Sequence, residues 1–136
     1  MSSPTADLRT QLNGFFERYA QTFHEQMGTF CGLYVYPCST VRLDGSVQVL
    51  LTQPEAVQFF SEARLKYEAE GCVRWDIHHF DVVPLGTHSA AATLEWQMLR
   101  ADGSRIRSWR QTYNVLGGAG AWKVLHSTLH RGSESS

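Results

Sequence analysis

The stretch from Val73 to His130 constrains this chain most. Its polar and apolar residues alternate through four segments separated by short turn signals, the pattern of an antiparallel meander. Side chains on a strand alternate between faces, so one turn fixes every cross-strand neighbour. Asp102-Gly103 is a strong two-residue hairpin signal. Folding there sets Trp96 opposite Trp109, Met98 opposite Arg107, Leu94 opposite Gln111, Ala92 opposite Tyr113 and Ala90 opposite Val115. The other face then pairs Glu95 with Arg110, Thr93 with Thr112 and Gln97 with Ser108. One assumed turn thus yields an aromatic and apolar face, and a reverse face with an opposite-charge pair and a Thr–Thr pair, both favourable across strands.

The neighbouring turns extend the pattern. A hairpin through Gly117-Gly118-Ala119-Gly120 predicts Val115 opposite Trp122, Tyr113 opposite Val124 and Gln111 opposite His126, with Thr128 and His130 on the same face. A turn at Gly86-Thr87 predicts Trp75, Ile77, His79, Asp81 and Val83 on the inner face, opposite Met98, Trp96, Leu94, Ala92 and Ala90, with His78 beside Glu95 outside. A slip of one residue would put Arg74, Asp76 and His78 inside, which favours the first register.

A chain of 136 residues suits one domain, spanning 1–136, with termini of about 1–4 and 131–136 expected to be disordered. A formal net charge of −1 gives no electrostatic footprint for nucleic acid or an anionic membrane, so neither is an expected partner. No apolar run approaches the ~18 residues of a spanning helix. The polar start Met1-Ser2-Ser3-Pro4-Thr5 has no signal-peptide core, and a cytoplasmic location is the expectation. Cys31, Cys38 and Cys72 form no CxxC pair and read as buried thiols, with Cys38 beside Pro37 a minor candidate for a catalytic thiol.

Before the meander, Thr5 or Ser3 can cap a first helix, with Pro4 in its first turn. Leu8, Leu12, Phe15, Phe16, Tyr19, Phe23 and Met27 form one apolar stripe at helical spacing, and Gly28 is the expected stop. Thr29 to Tyr36 reads as a short helix or turn ended by Pro37. Ser39–Leu43 and Ser46–Leu51 flank the hairpin signal Asp44-Gly45. Thr52, Pro54 and Glu55 announce a helix that runs to about Glu70 and stops at Gly71, with Ala56, Val57, Phe60, Ala63 and Tyr67 on its apolar side. The elements predict an α+β fold: a curved antiparallel sheet of about six strands wrapped on three helices, enclosing a core open at one end.

That order, with the segment FFERYAQTF in the first helix, YPCSTVRLDG before the third helix and the closing GAWKVLHSTLH, resembles the nuclear-transport-factor-2-like (NTF2-like, cystatin-like) superfamily, which includes ketosteroid isomerase, scytalone dehydratase and SnoaL-like polyketide cyclases. The resemblance implies a cone-shaped fold and says little about function, because the fold hosts many activities. It implies that Tyr19 occupies the place of a first-helix tyrosine that donates to a substrate oxygen. The isomerase-type general base would fall nearest Leu43; Asp44 is one residue away, in the turn. Members similar to this chain dimerise through the outer sheet face, which implies a homodimer through His78, Phe80, Glu95 and Arg110.

His79 and Asp81 are the acid–base candidates: on one strand face they would lie about 6–7 Å apart, with space left above Asp81 by Ala90 and Ala92. Scytalone dehydratase-like members use strand histidines with a tyrosine and an aspartate, so the resemblance makes dehydration or cyclisation conceivable with Tyr19 as third member. Trp96, Trp109, Gln111, Tyr113 and His126 are the expected ligand-binding residues, the two indoles as walls for a flat molecule. His126 and His130, four residues apart on a strand, would be about 13 Å apart and cannot share one ion, so no metal or cofactor is expected. Two readings follow. One is a protein binding a small hydrophobic or aromatic molecule, with cofactor-independent lyase, isomerase or cyclase activity. The alternative is a non-catalytic ligand-binding or dimerisation module.

Overall fold

The structure is a computed structural model that describes residues 4–117 and 121–130. The expected caps, Ser3 and the side chain of Thr5, lie outside what is described, as do the 118–120 part of the last hairpin loop and the 131–136 tail.

Helix α1 (Pro4–Glu25) is followed by the short α2 (Met27–Cys31), strands β1 (Tyr34–Val41) and β2 (Val47–Leu50), helix α3 (Gln53–Ala69), and strands β3 (Arg74–Gly86), β4 (Ser89–Leu99), β5 (Arg105–Leu116) and β6 (Lys123–Leu129). The strands form one sheet in the order β2-β1-β6-β5-β4-β3. All neighbours are antiparallel except β1 and β6, which run parallel, so the sheet is mixed, not wholly antiparallel. Helix α3, between β2 and the meander, makes this possible: the chain leaves the β1–β2 hairpin through it, and the strand that closes the meander returns beside β1. No helix among the described residues is long and apolar enough to cross a membrane.

The apolar stripe of α1 is buried as its spacing predicts: Leu12, Phe15, Phe16, Tyr19 and Phe23 are all at most 3% exposed. The stripe meets the inner face of the sheet, where Tyr19 stacks on Trp96 with ring centres 5.8 Å apart, and Phe23 stacks on Trp75 at 4.3 Å. The helix ends at Glu25, earlier than expected, and Gly28 belongs to α2. The run expected to be helix or turn up to Tyr36 divides: α2 takes its first part, and β1 begins at Tyr34 and passes through Pro37. Helix α3 starts on a full capping box, in which the Thr52 hydroxyl accepts from Glu55 N–H and the Glu55 carboxylate accepts from Thr52 N–H. It ends at Ala69, capped by Glu70, and the chain turns away at Gly71, whose φ of +93° suits only glycine without strain.

The β4–β5 register agrees with the sequence pairing throughout, from Ala90–Val115 to Met98–Arg107. The flanking hairpins each carry a bulge that the alternating pattern does not announce. In β3, Trp75 and Ile77 lie opposite Met98 and Trp96 as predicted, but His79 and Phe80 together oppose Leu94, and the pairing resumes at Asp81–Thr93 and Val82–Ala92. His79 sits at φ +50° to make this step. Beyond it the faces exchange. Val82 is 7% exposed, and Phe80 turns in against Phe16, with ring centres 6.3 Å apart. His79, Asp81 and Val83 are exposed. A left-handed non-glycine residue costs about 1–2 kcal/mol, whereas burying Phe80 and Val82 contributes about 1.5–3 kcal/mol each when complete. Burial of the two apolar chains therefore outweighs the strained histidine. In β6, Val124 pairs with Val115 and His126 with Asn114, which leaves Leu125 as the extra residue. Val124, Ser127 and Leu129 then share the inner face, while His126, Thr128 and His130 turn outward, opposite to the expected arrangement.

Candidate functional site

The inner face, α1 and α3 enclose a cavity of about 540 Å³ that opens between α3 and the β1–β2 hairpin. That volume lies within the range of small-molecule sites. Its aromatic walls come from Phe59, Phe60 and Tyr67 of α3 and from Trp75 and Trp109 of the sheet. The apolar side of α3 is only partly buried because it faces this space. At the mouth stand Arg42, Leu43 and Asp44, all exposed. Arg107 also lines the cavity; it grips Glu70 with two contacts, 2.5 and 3.2 Å, and lies over the Tyr67 ring.

Three phenols meet at the inner end. Tyr19 and Tyr34 share a hydrogen bond of 2.5 Å, and Trp96 Nε1–H donates to the Tyr113 hydroxyl at 2.7 Å. All three hydroxyls are held well above the ordinary phenol range, first by desolvation and then by one another. They are neutral donors, not bases. A second polar row crosses β5, β6 and β1: Trp109 Nε1–H donates to Gln111 Oε1 at 3.0 Å, Gln111 Nε2–H to Ser127 Oγ at 2.9 Å, and Ser127 Oγ meets Thr40 Oγ1 at 3.0 Å.

Of the residues expected at the site, Tyr19, Trp109, Gln111 and Tyr113 line the cavity. Trp96 supports it from behind, wholly buried. His126 is elsewhere: its Nδ1 is 2.8 Å from Ser39 Oγ on the outer face, because the β6 bulge reverses its direction. His79 and Asp81 are also placed away from the cavity by the β3 bulge, and the Asp81 carboxylate is 74% exposed, 3.9 Å from Arg9. The acid–base pair expected on the inner face is therefore not assembled. Phe80, expected on the outer face, belongs to the core side. Cys31, Cys38 and Cys72 are free and buried as expected. Burial pushes the Cys38 thiol up to about 11, which argues against a reactive thiolate there.

Tyr34, Thr40, Phe60, Tyr67 and Ser127 line or support the site, and the sequence does not single them out for it. Phe60 and Tyr67 are legible only as an apolar helix stripe. Tyr34 and Thr40 depend on the parallel pairing of β1 with β6, which has no local turn signal. Among the described residues, those lining the cavity include one carboxylate, Asp44, and no imidazole. The Asp44 carboxylate accepts from Ser46 N–H and Oγ–H, which hold its pKa below the usual carboxylate range. It is a weak base at the rim of the cavity.

Solved structures with this architecture cover nearly the whole chain at low identity. Aln2 from a Streptomyces species is similar with a TM-score of 0.74 and 13% identity, over 96% of this chain and 94% of that one. An NTF2-like protein with a cystatin-like fold from Novosphingobium aromaticivorans has a TM-score of 0.69 and 14% identity, over 92% of this chain and 83% of that one. A protein from Catenulispora acidiphila, in complex with S-DNPA, has a TM-score of 0.70 and 13% identity, over 91% of this chain and 94% of that one. At such identity these likenesses speak to the fold alone. No functionally curated protein matches the chain. The sequence profile of the family described as NTF2-like protein (DUF6841) matches residues 10–132. With that match spanning most of the chain, and the cone it implies present from α1 to β6, the protein belongs to the NTF2-like DUF6841 family.

Proposed function

We propose that this protein binds a flat, largely apolar small molecule in the cavity between α3 and the sheet. The observation that carries the reading is the cavity itself: about 540 Å³, walled by five aromatic side chains named above, with hydroxyl groups at its inner end. Core packing alone would fill such a space, since a void of this size forfeits dispersion contacts along all its walls. The Catenulispora protein of the same fold is in complex with S-DNPA, which accords with this reading. Titration with polycyclic aromatic compounds tests it. Saturable quenching of tryptophan fluorescence and a raised Tm are expected, and Trp109→Ala should weaken both. A panel that leaves fluorescence and Tm unchanged would overturn the reading.

A second reading has one specific support. Neutral phenols packed at the end of an apolar cavity are suited to stabilise negative charge that develops on a substrate oxygen. A cofactor-independent isomerase, lyase or cyclase would use them with Asp44 as its carboxylate. Mass spectrometry of a bound compound separates the two: it is recovered unchanged from a binding protein and transformed by an enzyme.

We also propose a homodimer through the outer sheet face. His78, Glu95 and Arg110 share that face by register, together with the exposed Val47, Val49 and Val83.

A further inference from the structure

The cavity's two hydrogen-bond rows each begin at an indole N–H, a group that donates and never accepts. The first bond of each row therefore has a fixed direction, which constrains the ones that follow. Tyr113 is 2% exposed and its oxygen accepts from Trp96, so its own proton must find a partner inside the protein; the Tyr19 phenol packs edge-on against it, with ring centres 5.6 Å apart, and is the acceptor this packing assigns. With that proton accepted, Tyr19, 3% exposed, is left to donate along its hydrogen bond to Tyr34. Among the described residues Tyr34's hydroxyl has no other side-chain partner, so its proton is the unspent one. The second row runs likewise. Gln111 accepts from Trp109 and donates to Ser127. Among the described residues Ser127, 1% exposed, can place its proton only on Thr40, whose own O–H is left over.

Resting on the reading of the cavity as a ligand site, we propose that it presents two hydroxyl donors, Tyr34 and Thr40, and therefore selects flat aromatic molecules carrying carbonyl or other acceptor oxygens over those without them. Both residues line the cavity. Tyr19, the residue that the family resemblance singles out as donor, acts here as the link that keeps the Tyr34 proton pointing outward. A ligand that brings only N–H donors offers these two protons no acceptor and leaves buried groups unpaired, which is costly.

The test compares 9,10-anthraquinone-2-sulfonate with anthracene-2-sulfonate. The two share ring system and charge and differ in the two carbonyl oxygens. Isothermal titration of the full chain should show the quinone bound about tenfold more tightly or better, one net hydrogen bond being worth about that factor. Tyr34→Phe and Thr40→Val should each shrink the ratio of the two affinities by about three- to tenfold; because the readout is a ratio, general losses of packing cancel. Circular dichroism checks that each variant folds, and if Tyr34→Phe does not, Thr40→Val carries the test. Equal affinities, tighter anthracene binding, or an unchanged ratio in the folded variants would overturn the donor assignment while leaving the cavity as a binding site. No binding of either probe would overturn both.

Discussion

At the residue scale, hydrogen-bond capacity decides most of what the site can do. The Trp96–Tyr113 contact is buried on both sides, so Tyr113→Phe leaves an indole N–H without its acceptor. A loss of about 1–3 kcal/mol in urea-unfolding stability is expected, the cost of one stranded buried group. The three phenols also set an alkaline limit. Their folded pKa values lie above the unfolded value of about 10, so the folded state holds protons that the unfolded state gives up. Their contribution is complete below pH ~10 and declines as pH rises beyond it. A Tm followed from about pH 8 to 11 should fall at the upper end, and ultraviolet titration should show these phenols ionising only with unfolding. Asp81 gives the opposite expectation. Its ion pair with Arg9 is long and exposed, so Asp81→Asn should change stability by less than about 0.5 kcal/mol and leave probe binding unchanged.

At the element scale, the bulges matter more than the strands. His79 occupies a left-handed position that glycine adopts freely, so His79→Gly should raise stability by about 0.5–1 kcal/mol, and His79→Val should lower it by about 1–2 kcal/mol, both read from denaturant midpoints. An inward His79 would give neither result. The capping box of α3 is a separate local device. Thr52→Ala should cost about 1 kcal/mol in the same assay, and because α3 forms one wall of the cavity the loss should also weaken ligand binding slightly. The β4–β5 hairpin is readable residue by residue because Asp102-Gly103 and the paired Glu95–Arg110 and Thr93–Thr112 all demand one register. Its neighbours are not, because a bulge leaves the pattern intact on both sides of itself and only exchanges the faces.

At the scale of the whole molecule, the outer face of the sheet holds a polar belt. Thr93, Thr112 and His130 are linked by hydrogen bonds of 2.8 and 2.5 Å, and Glu95 lies opposite Arg110. The proposed homodimer would cover this belt and the exposed valines of β2 and β3. Sedimentation equilibrium should report a dimer for the native chain and a shift toward monomer for Arg110→Glu, which places like charges opposite each other and against the partner. A native chain that sediments as a monomer at high concentration would remove this face as an interface and leave the cavity argument untouched.

Residue order alone determined the succession of helices and strands, the buried stripe of α1, the capped start of α3 and the pairing of β4 with β5. Each of these rests on contacts close in sequence or on a turn that local chemistry dictates. Only the tertiary structure decided the two bulges, the parallel seating of β1 beside β6 and hence the membership of the site. Those depend on competition between distant side chains: Phe80 and Val82 claim the core against Phe16 and the helical layer, and His79 and Asp81 yield their places. An alternating pattern records which residues differ from their neighbours; where the backbone takes one extra step, only packing energy tells which of the two goes inside.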